Sequence, residues 1–227
     1  RRLSVQCSQL RNLLRKRSME GSSCEKRPNR LIDFSHYNRR HILLKFAYLG
    51  WMYDGFVMQD GVTNSVEDVI FEALRRTKLC EDVRTSNYHR CGRTDIGVSA
   101  FGQVMSISVR STQNMQSAIG AKTATGLVQT DKDPNRTGPT EIDYVSVLNA
   151  VLPWSIRVLA WCPVTENRNA RFDCVSRTYH YYFQSRDLDI PLMNEASRLF
   201  EGKHDFRNFC KPDRTRKKID YKRHIFH

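Results

Sequence analysis

The sequence contains none of the segments that mark membrane or secreted proteins. No run of 18 or more apolar residues occurs among its 227 residues, so no bilayer-crossing helix is expected. The basic N-terminus lacks an apolar stretch and a small-residue cleavage site, so it is not read as a secretory signal. Its Arg-rich, acid-poor composition also resembles a mitochondrial transit segment, and that alternative stays open.

Motifs for metals and organic cofactors are also missing. The seven cysteines lie far apart, their number is odd, and no Cys-x-x-Cys pair occurs. Disulfide frameworks and zinc sites show tighter, paired spacing, so scattered thiols favour a reducing compartment, either cytosol or nucleus. The sequence has no phosphate-binding glycine loop and no dinucleotide fingerprint. It therefore indicates no metal and no cofactor.

The net charge of +13 is concentrated in the two ends of the chain. Residues 1–40 carry 11 basic and 3 acidic side chains, and residues 203–227 carry 9 and 3, whereas the span between them is nearly neutral. Basic flanks suit a polyanion, because each phosphate that a cation neutralises releases counterions. The alternative is a pair of solubilising tails, and charge alone does not separate the two.

Hydrophobic periodicity predicts alternating strands and helices. Ser65 is expected to cap a helix with Asp68 as its capping-box partner, and Thr140 is expected to cap a second helix in the same way with Asp143. Their order relative to the strands predicts an α+β fold with helices on one face of a sheet. The strands are expected over residues 41–48, 104–109, 156–162 and 177–184, and the helices from Ser65, over residues 142–151 and over residues 192–200.

Two segments have little core-forming character. Residues 1–40 are rich in Ser, Gln, Arg and Asn, which predicts a weakly ordered basic arm. Residues 111–140 contain almost no large apolar side chain, which predicts a long solvent-exposed insertion.

The densest chemical signal lies over residues 88–103, between two predicted strands. Glycines on both sides of Asp95 allow a tight backbone and a close approach of substrate, and Arg93 can pair with the carboxylate. The plainer interpretation is a polar connection between strands. A nucleophilic Cys–His pair formed by His89 and Cys91 is a weaker alternative, because no third group to orient it is evident.

The string Gly92-Arg93-Thr94-Asp95-x-Gly97-Val98-x-Ala100 resembles the catalytic motif of the TruA-type tRNA pseudouridine synthases. The longer form over residues 90–103 is similar to the eukaryotic branch that modifies tRNA positions 38 and 39. Three further segments resemble elements of the same family, and the likeness runs from about His41 to the last residue. They are Gly50-Trp51-Met52-Tyr53-Asp54-Gly55-Phe56 with Gln59, Arg171 to Cys174 together with Arg177 to Tyr181, and His204 to Lys211.

The resemblance implies a fold of two ferredoxin-like halves that form one extended mixed sheet with helices on one face. The first half is expected over residues 41–150, with the catalytic loop at 88–103 and the insertion at 111–140. The second half is expected over residues 151–227 and is incomplete at its C-terminal end. The family usually works as a homodimer, and nucleus and cytoplasm are the expected compartments.

The resemblance also assigns roles to individual residues. It implies Asp95 as the nucleophile, Arg93 beside it, and Tyr179 as the ring that stacks on the target base. The reaction needs no cofactor and no metal, and the partner is tRNA, bound through its anticodon stem-loop. Further substrate contacts are expected from Arg90, Arg171, Lys203, Arg207 and Lys211, although for the last three a solvated surface is an equal alternative.

Two other functional classes remain open at this point. The first is a non-catalytic RNA-binding protein that retains the same fold, against which the intact Arg93, Asp95 and Tyr179 argue. The second is a basic ribonucleoprotein component without enzyme ancestry, which net charge alone supports.

Overall fold

A computed structural model describes residues 33–59, 61, 64–113, 140–210 and 219–226. The chain divides into two compact units, one ending at Ser176 and the other running from Arg177 to His227. The predicted basic arm lies almost entirely outside the described residues, as do most of the predicted insertion and Lys211. None of the helices in the described ranges is long and apolar enough to cross a membrane.

In the described part of the chain, the first unit contains one antiparallel sheet and two α-helices. Its strands stand in the order β2-β3-β1-β4, and every neighbouring pair is antiparallel. The chain order is β-α-β-β-α-β, which is the order of a ferredoxin-like unit. The elements are β1 (Asn38–Tyr48), α1 (Val66–Arg76), β2 (His89–Arg90), β3 (Ala100–Ser111), α2 (Tyr144–Asn149) and β4 (Ile156–Pro163).

Period-two alternation in β1 and β3 places the core on one face of this sheet. Ile42, Leu44 and Phe46 are almost completely buried, and they share one cluster with the buried side chains of both helices. Successive strand side chains point to opposite faces, so this cluster lies on the face that the helices cover. The prediction of an α+β fold with helices on one sheet face is confirmed.

The second unit contains α3 (Ile190–Arg198) and a two-stranded antiparallel sheet of β5 (Gly202–Asp205) and β6 (Lys222–Ile225). Asp189 caps α3 by accepting a hydrogen bond from the backbone N–H of Leu192 at 3.0 Å. The predicted helix over residues 192–200 is therefore confirmed, although it begins and ends two residues earlier.

Three details of the prediction are wrong. Residues 177–184 form no strand, because no neighbouring strand bonds to their backbone in the described part of the chain. Asp143, not Thr140, caps α2, since its carboxylate accepts from the backbone N–H of Ser146 at 3.1 Å. The mixed sheet is absent from the described residues, where both sheets are antiparallel.

The predicted boundary between halves, after Ala150, differs from the observed boundary after Ser176. Strand β4 pairs with β1 from Ile42 opposite Pro163 to Tyr48 opposite Ile156. It thus supplies the fourth strand of the first unit. The pairing of two ferredoxin-like halves stays a prediction.

A buried ion pair closes the base of the predicted insertion. Arg40 on β1 lies 2.7 Å from the carboxylate of Glu141, and both side chains are about nine-tenths buried. Glu141 also accepts hydrogen bonds from the Ser111 hydroxyl at 2.6 Å and the Thr112 backbone N–H at 3.1 Å. Burial opposes ionisation of Glu141, but these donors and the guanidinium outweigh it and lower the pKa of the carboxyl.

Replacing Glu141 by glutamine is expected to lower the free energy of unfolding by about 3 kcal/mol at neutral pH, because Arg40 stays buried without its counter-charge. Since folding lowers the pKa of Glu141, its contribution is present above the ordinary value of 4.5 and is lost as the pH falls through the folded value. Urea unfolding at pH 7 and pH 3.5 should show that the difference in free energy of unfolding between Glu141→Gln and the parent protein is smaller at pH 3.5. The exposed-site variant Glu81→Gln is the control, and an equal loss there would contradict the assignment.

Candidate active site

The loop that carries the glycine-flanked aspartate joins β2 to β3. Its apex is a four-residue turn in which the backbone N–H of Val98 donates to the carbonyl of Asp95 at 3.2 Å. Gly97, the third residue, has a φ of +81°, and Ile96 before it is not among the residues with positive φ. These values identify a type II turn, which needs a glycine at that position. The Asp-x-Gly spacing in the sequence thus has a direct conformational cause.

The inner side of this loop is fastened to the end of β1 and the residues that follow it. The Tyr48 hydroxyl lies 2.7 Å from the Thr94 hydroxyl, and the backbone N–H of Phe56 donates to the carbonyl of Thr94 at 3.1 Å. The backbone N–H of Gly50 donates to the Ser99 hydroxyl at 2.9 Å. Three hydrogen bonds from one short segment therefore fix the backbone on both sides of Asp95.

Gly50 approaches the loop more closely than any other residue type allows. A Cβ built on Gly50 would collide with the carbonyl oxygen of Val98 and crowd the backbone N of Ser99. Gly55 lies on the other side of the loop with a φ of +101°, 3.5 Å from the carbonyl oxygen of Thr94 as measured from an added Cβ. Glycine at position 50 is therefore required by space, and glycine at position 55 by backbone conformation.

The side chains of Asp95 and Arg93 are both exposed. Within the described residues no ion pair joins them, so the expected pairing of Arg93 with the carboxylate is not present. Asp95 is also the sole acidic residue of the predicted catalytic loop, residues 88–103. The carboxylate of Asp95 is therefore exposed to solvent, and hydrogen bonds at Thr94 and Ser99 hold the backbone on either side of it.

Arg90, predicted to bind substrate, is engaged in a buried polar cluster. Its guanidinium lies 2.6 Å from the Glu67 carboxylate, which also accepts from the Tyr88 hydroxyl at 2.5 Å and the backbone N–H of Met58 at 2.9 Å. Glu67 is 2% exposed. Burial and the adjacent negative charge raise the pKa of Tyr88. The structure thus gives Arg90 the task of neutralising a buried acid, which connects α1 to β2.

Sequence reasoning missed Glu67, although a signal was present. Glu67 lies three and seven positions before Ile70 and Leu74, which places it on the buried face of α1. An acid at such a position needs a cationic or donor partner, and Arg90 and Tyr88 supply it.

The other predicted site residues lie in different places. Arg171 belongs to the first unit, where it is exposed and its guanidinium lies over the ring of Phe172 at 5.4 Å. Tyr179 belongs to the second unit and is 74% exposed. Lys203 is an exposed residue of β5, and Arg207 pairs with Asp205 at 3.2 Å. Of the described site residues, Arg90, Arg93, Asp95 and Arg171 thus belong to the first unit, and Tyr179, Lys203 and Arg207 to the second.

Curated relatives match the chain over most of its length. The tRNA pseudouridine(38/39) synthase of Mus musculus is 45% identical over 224 residues, covering 99% of this chain and 45% of that protein. The human protein of the same name is 46% identical, covering 91% of this chain and 41% of its own. Over most of its length, this chain is similar to tRNA pseudouridine synthases. A more distant member, tRNA pseudouridine synthase A of Methanosarcina acetivorans, is 35% identical over 75% of this chain and 52% of its own.

The predicted resemblance to this family is thus confirmed by relatives with 41–48% identity over most of the chain. No family model matches the sequence. The chain spans about half the length, or somewhat less, of the curated relatives that it matches.

Replacing Gly50 by alanine should push the Val98 carbonyl away and destabilise the first unit by about 1–3 kcal/mol, as overpacking does elsewhere. Amide hydrogen exchange should rise in residues 94–99, and urea unfolding should report the loss of stability. Gly102→Ala is the matched control, because there the added Cβ meets the flexible Lys45 side chain at 2.8 Å from its Cε atom. Unchanged exchange and stability in Gly50→Ala would contradict the close approach.

Proposed function

We propose that this chain carries the catalytic loop of a tRNA pseudouridine synthase and that Asp95 is the nucleophile. The observation that carries the proposal is the placement of Asp95. It is an exposed carboxylate at the first position of a type II turn, and hydrogen bonds at Thr94 and Ser99 fix the backbone on either side. The similarity to tRNA pseudouridine synthases supplies the reaction that such a carboxylate serves.

Pseudouridine formation is an isomerisation. The bond between uracil N1 and ribose C1′ breaks, the base turns, and C5 bonds to C1′ while the C5 proton is transferred to solvent or to a base and N1 regains a proton. No electrons or groups enter or leave, so the reaction needs no cofactor and no metal. Asp95 acts at the ribose, either by attacking C1′ or by withdrawing the C2′ proton, and a carboxylate serves both routes.

The target uridine must leave its base stack before Asp95 reaches the ribose. Flipping a nucleotide costs a few kcal/mol, and an aromatic ring returns about 1–3 kcal/mol by stacking on the base. We assign that ring to Tyr179, whose exposure leaves its face accessible in the described chain. Arg93 is exposed two residues before the nucleophile, which suits it to occupy the space that the base vacates or to pair with a phosphate.

The finer parts of the proposal concern the substrate and the assembly. We assign the anticodon arm, at positions 38 and 39, because the mammalian relatives carry those positions in their names. The basic residues 1–40 and 203–227 suit the phosphates of tRNA. A homodimer, and a location in nucleus and cytoplasm, complete the proposal. The exposed Lys203, Arg171 and Arg207 are assigned to RNA contact.

The Asp95→Asn and Asp95→Ala variants are expected to lose pseudouridine formation completely while binding tRNA within about tenfold of the parent, because affinity comes mostly from phosphates. Single-turnover conversion of an anticodon stem-loop transcript, read by mass spectrometry after carbodiimide labelling, measures the first quantity. Filter binding measures the second. Glu81→Gln, which removes an exposed carboxylate of the same unit, should keep full turnover.

Measurable turnover in either Asp95 variant would remove Asp95 from the nucleophile role. A parent protein that binds the transcript tightly and never converts it would favour a non-catalytic RNA-binding protein instead.

Substitutions of Tyr179 distinguish a ring that stacks on the target base from a ring that packs in the protein core. Because the side chain is 74% exposed, Tyr179→Ala should leave the melting temperature unchanged and weaken engagement of the flipped base by about 1–3 kcal/mol. Tyr179→Phe keeps the ring and should bind tRNA normally while turnover falls, since the hydroxyl is assigned to the departure of the C5 proton. The matched control is Tyr144→Ala, which removes a fully buried ring and should cost about 3–5 kcal/mol of stability. A large loss of stability in Tyr179→Ala with normal turnover in Tyr179→Phe would end the assignment.

A further inference from the structure

Two cysteines that lie 83 residues apart in sequence, one of them within the catalytic loop, are in contact. The Sγ atoms of Cys91 and Cys174 are 3.2 Å apart, and both side chains are half-buried in the first unit. A disulfide bond is about 2.05 Å long, so the two sulfurs need to approach by roughly 1.1 Å to bond. Cys91 comes immediately before the Gly92-Arg93-Thr94-Asp95 string.

The sheet holds both thiols in this position. The backbone N–H of Cys91 donates to the carbonyl of Val104 at 2.9 Å, which continues the pairing of β2 with β3 by one residue. On the other side, the backbone N–H of Ala170 donates to the Ser106 hydroxyl at 3.2 Å. Ser106 lies two residues from Val104 on β3, so one strand positions the segments that carry both cysteines.

The segment before Cys174 is further ordered by its own turn. The backbone N–H of Asp173 donates to the carbonyl of Asn169 at 2.9 Å, and the Asp173 carboxylate accepts from the backbone N–H of Asn169 at 2.9 Å. The Arg168 carbonyl accepts from the Nε2 atom of buried His41 at 2.9 Å. The contact between the sulfurs is thus made by two anchored segments.

The remaining described cysteines have other surroundings. Burial raises the pKa of Cys80, whose thiol lies 2.9 Å from the Ser86 hydroxyl. Burial also raises the pKa of Cys162 on β4. Thiols in such positions have less thiolate at neutral pH, so they react slowly with oxidants. Cys210 is exposed and lies in the second unit.

We propose that Cys91 and Cys174 form a reversible disulfide on exposure to hydrogen peroxide. One thiolate attacks the peroxide, takes one oxygen as a sulfenic acid and releases hydroxide, which is protonated to water. The second thiol attacks the sulfenic sulfur, the S–S bond forms and a second water leaves. Two thiols lose two electrons and two protons, peroxide is reduced to two waters, and a dithiol reverses the reaction by exchange.

The disulfide draws residue 91 toward residue 174 and thereby displaces the part of the catalytic loop that precedes Asp95. A displacement of about 1 Å at a reacting group can cost on the order of 100-fold in rate. Resting on the proposed function, this step predicts that oxidation lowers pseudouridine formation by roughly tenfold or more. In reducing compartments, protein disulfides are usually transient. The scattered cysteines of this sequence favour such a compartment, so a reversible disulfide agrees with their spacing.

The covalent step is tested on the full chain without any activity measurement. The protein is treated with one to several equivalents of hydrogen peroxide, alkylated and digested with trypsin. Cleavage after the flanking arginines releases Cys91-Gly92-Arg93 and Phe172-Asp173-Cys174-Val175-Ser176-Arg177. The expected product is these two peptides joined, with a mass two hydrogens below their sum, and it should disappear after dithiothreitol. Cys91→Ser and Cys174→Ser should each abolish it, and Cys210→Ser should not.

Peroxide that leaves both peptides alkylated, or that converts either cysteine to a sulfinic acid without a joined product, overturns the proposal. So does a joined product in which another cysteine replaces one of the two.

A second arm measures turnover before peroxide, after peroxide and after dithiothreitol. A loss that dithiothreitol reverses, and that Cys174→Ser prevents, supports control of the loop. If the joined peptides form and turnover does not change, the inference that the disulfide controls the catalytic loop is overturned. Absence of turnover in the reduced parent is a failure of the proposed function alone, because the mass spectrum decides the disulfide independently.

Discussion

The pairing of β1 with β3 is the constraint on which the candidate site depends. It runs from Asn38 opposite Ser111 to Tyr48 opposite Ala100, and β4 bonds to the other edge of β1. Because β1 is held on both sides, the residues after it leave the sheet at a fixed place. The register of β1 shifts near Phe46 against both neighbours, which bends the strand at its end. Gly50 then meets the loop that precedes β3.

A second constraint acts through electrostatics. Glu67 is an acid on the apolar face of α1, and removing a carboxylate from water is costly unless donors replace the solvent. Arg90, Tyr88 and the backbone of Met58 provide those donors. These donors offset the cost of burying the Glu67 carboxylate when α1 and β2 are in the relative position seen in the structure. Removing one partner of such a buried cluster leaves an uncompensated charge or polar group, so the cluster disfavours other arrangements of α1 and β2.

Sequence reasoning found the elements whose signals are local. Ser65 and Asp68 form the complete capping box that their spacing predicts, and the alternation in residues 104–109 is that of β3. It also identified the family, because the string around Asp95 is specific. In β1 the apolar run gave the core face, since Ile42, Leu44 and Phe46 alternate with less buried residues.

It failed where the outcome depends on contacts made far along the chain. The aromatic residues at 177–184 favour a strand by composition, yet a strand needs a bonded neighbour and the described chain provides none. Their rings still alternate, since Tyr181 contacts Phe183 and His180 contacts Tyr182. When Arg90 was assigned to substrate binding, its ion pair with Glu67 was not anticipated. The contact between Cys91 and Cys174 was not predicted either, because the two residues are 83 positions apart and no local pattern relates them.

The ion pair of Arg40 with Glu141 has a consequence for the evolution of the chain. The Thr112 hydroxyl donates to the carbonyl of Thr140 at 2.7 Å, so the two ends of the segment between them meet at one point of the sheet. When the two ends of a loop are already in contact, the entropic cost of closing the loop depends only weakly on its length. A connecting segment of a different length can therefore join Thr112 to Thr140 while the sheet keeps its register. The same position is a natural graft point, where a foreign domain can be carried without a change to the scaffold that holds Asp95.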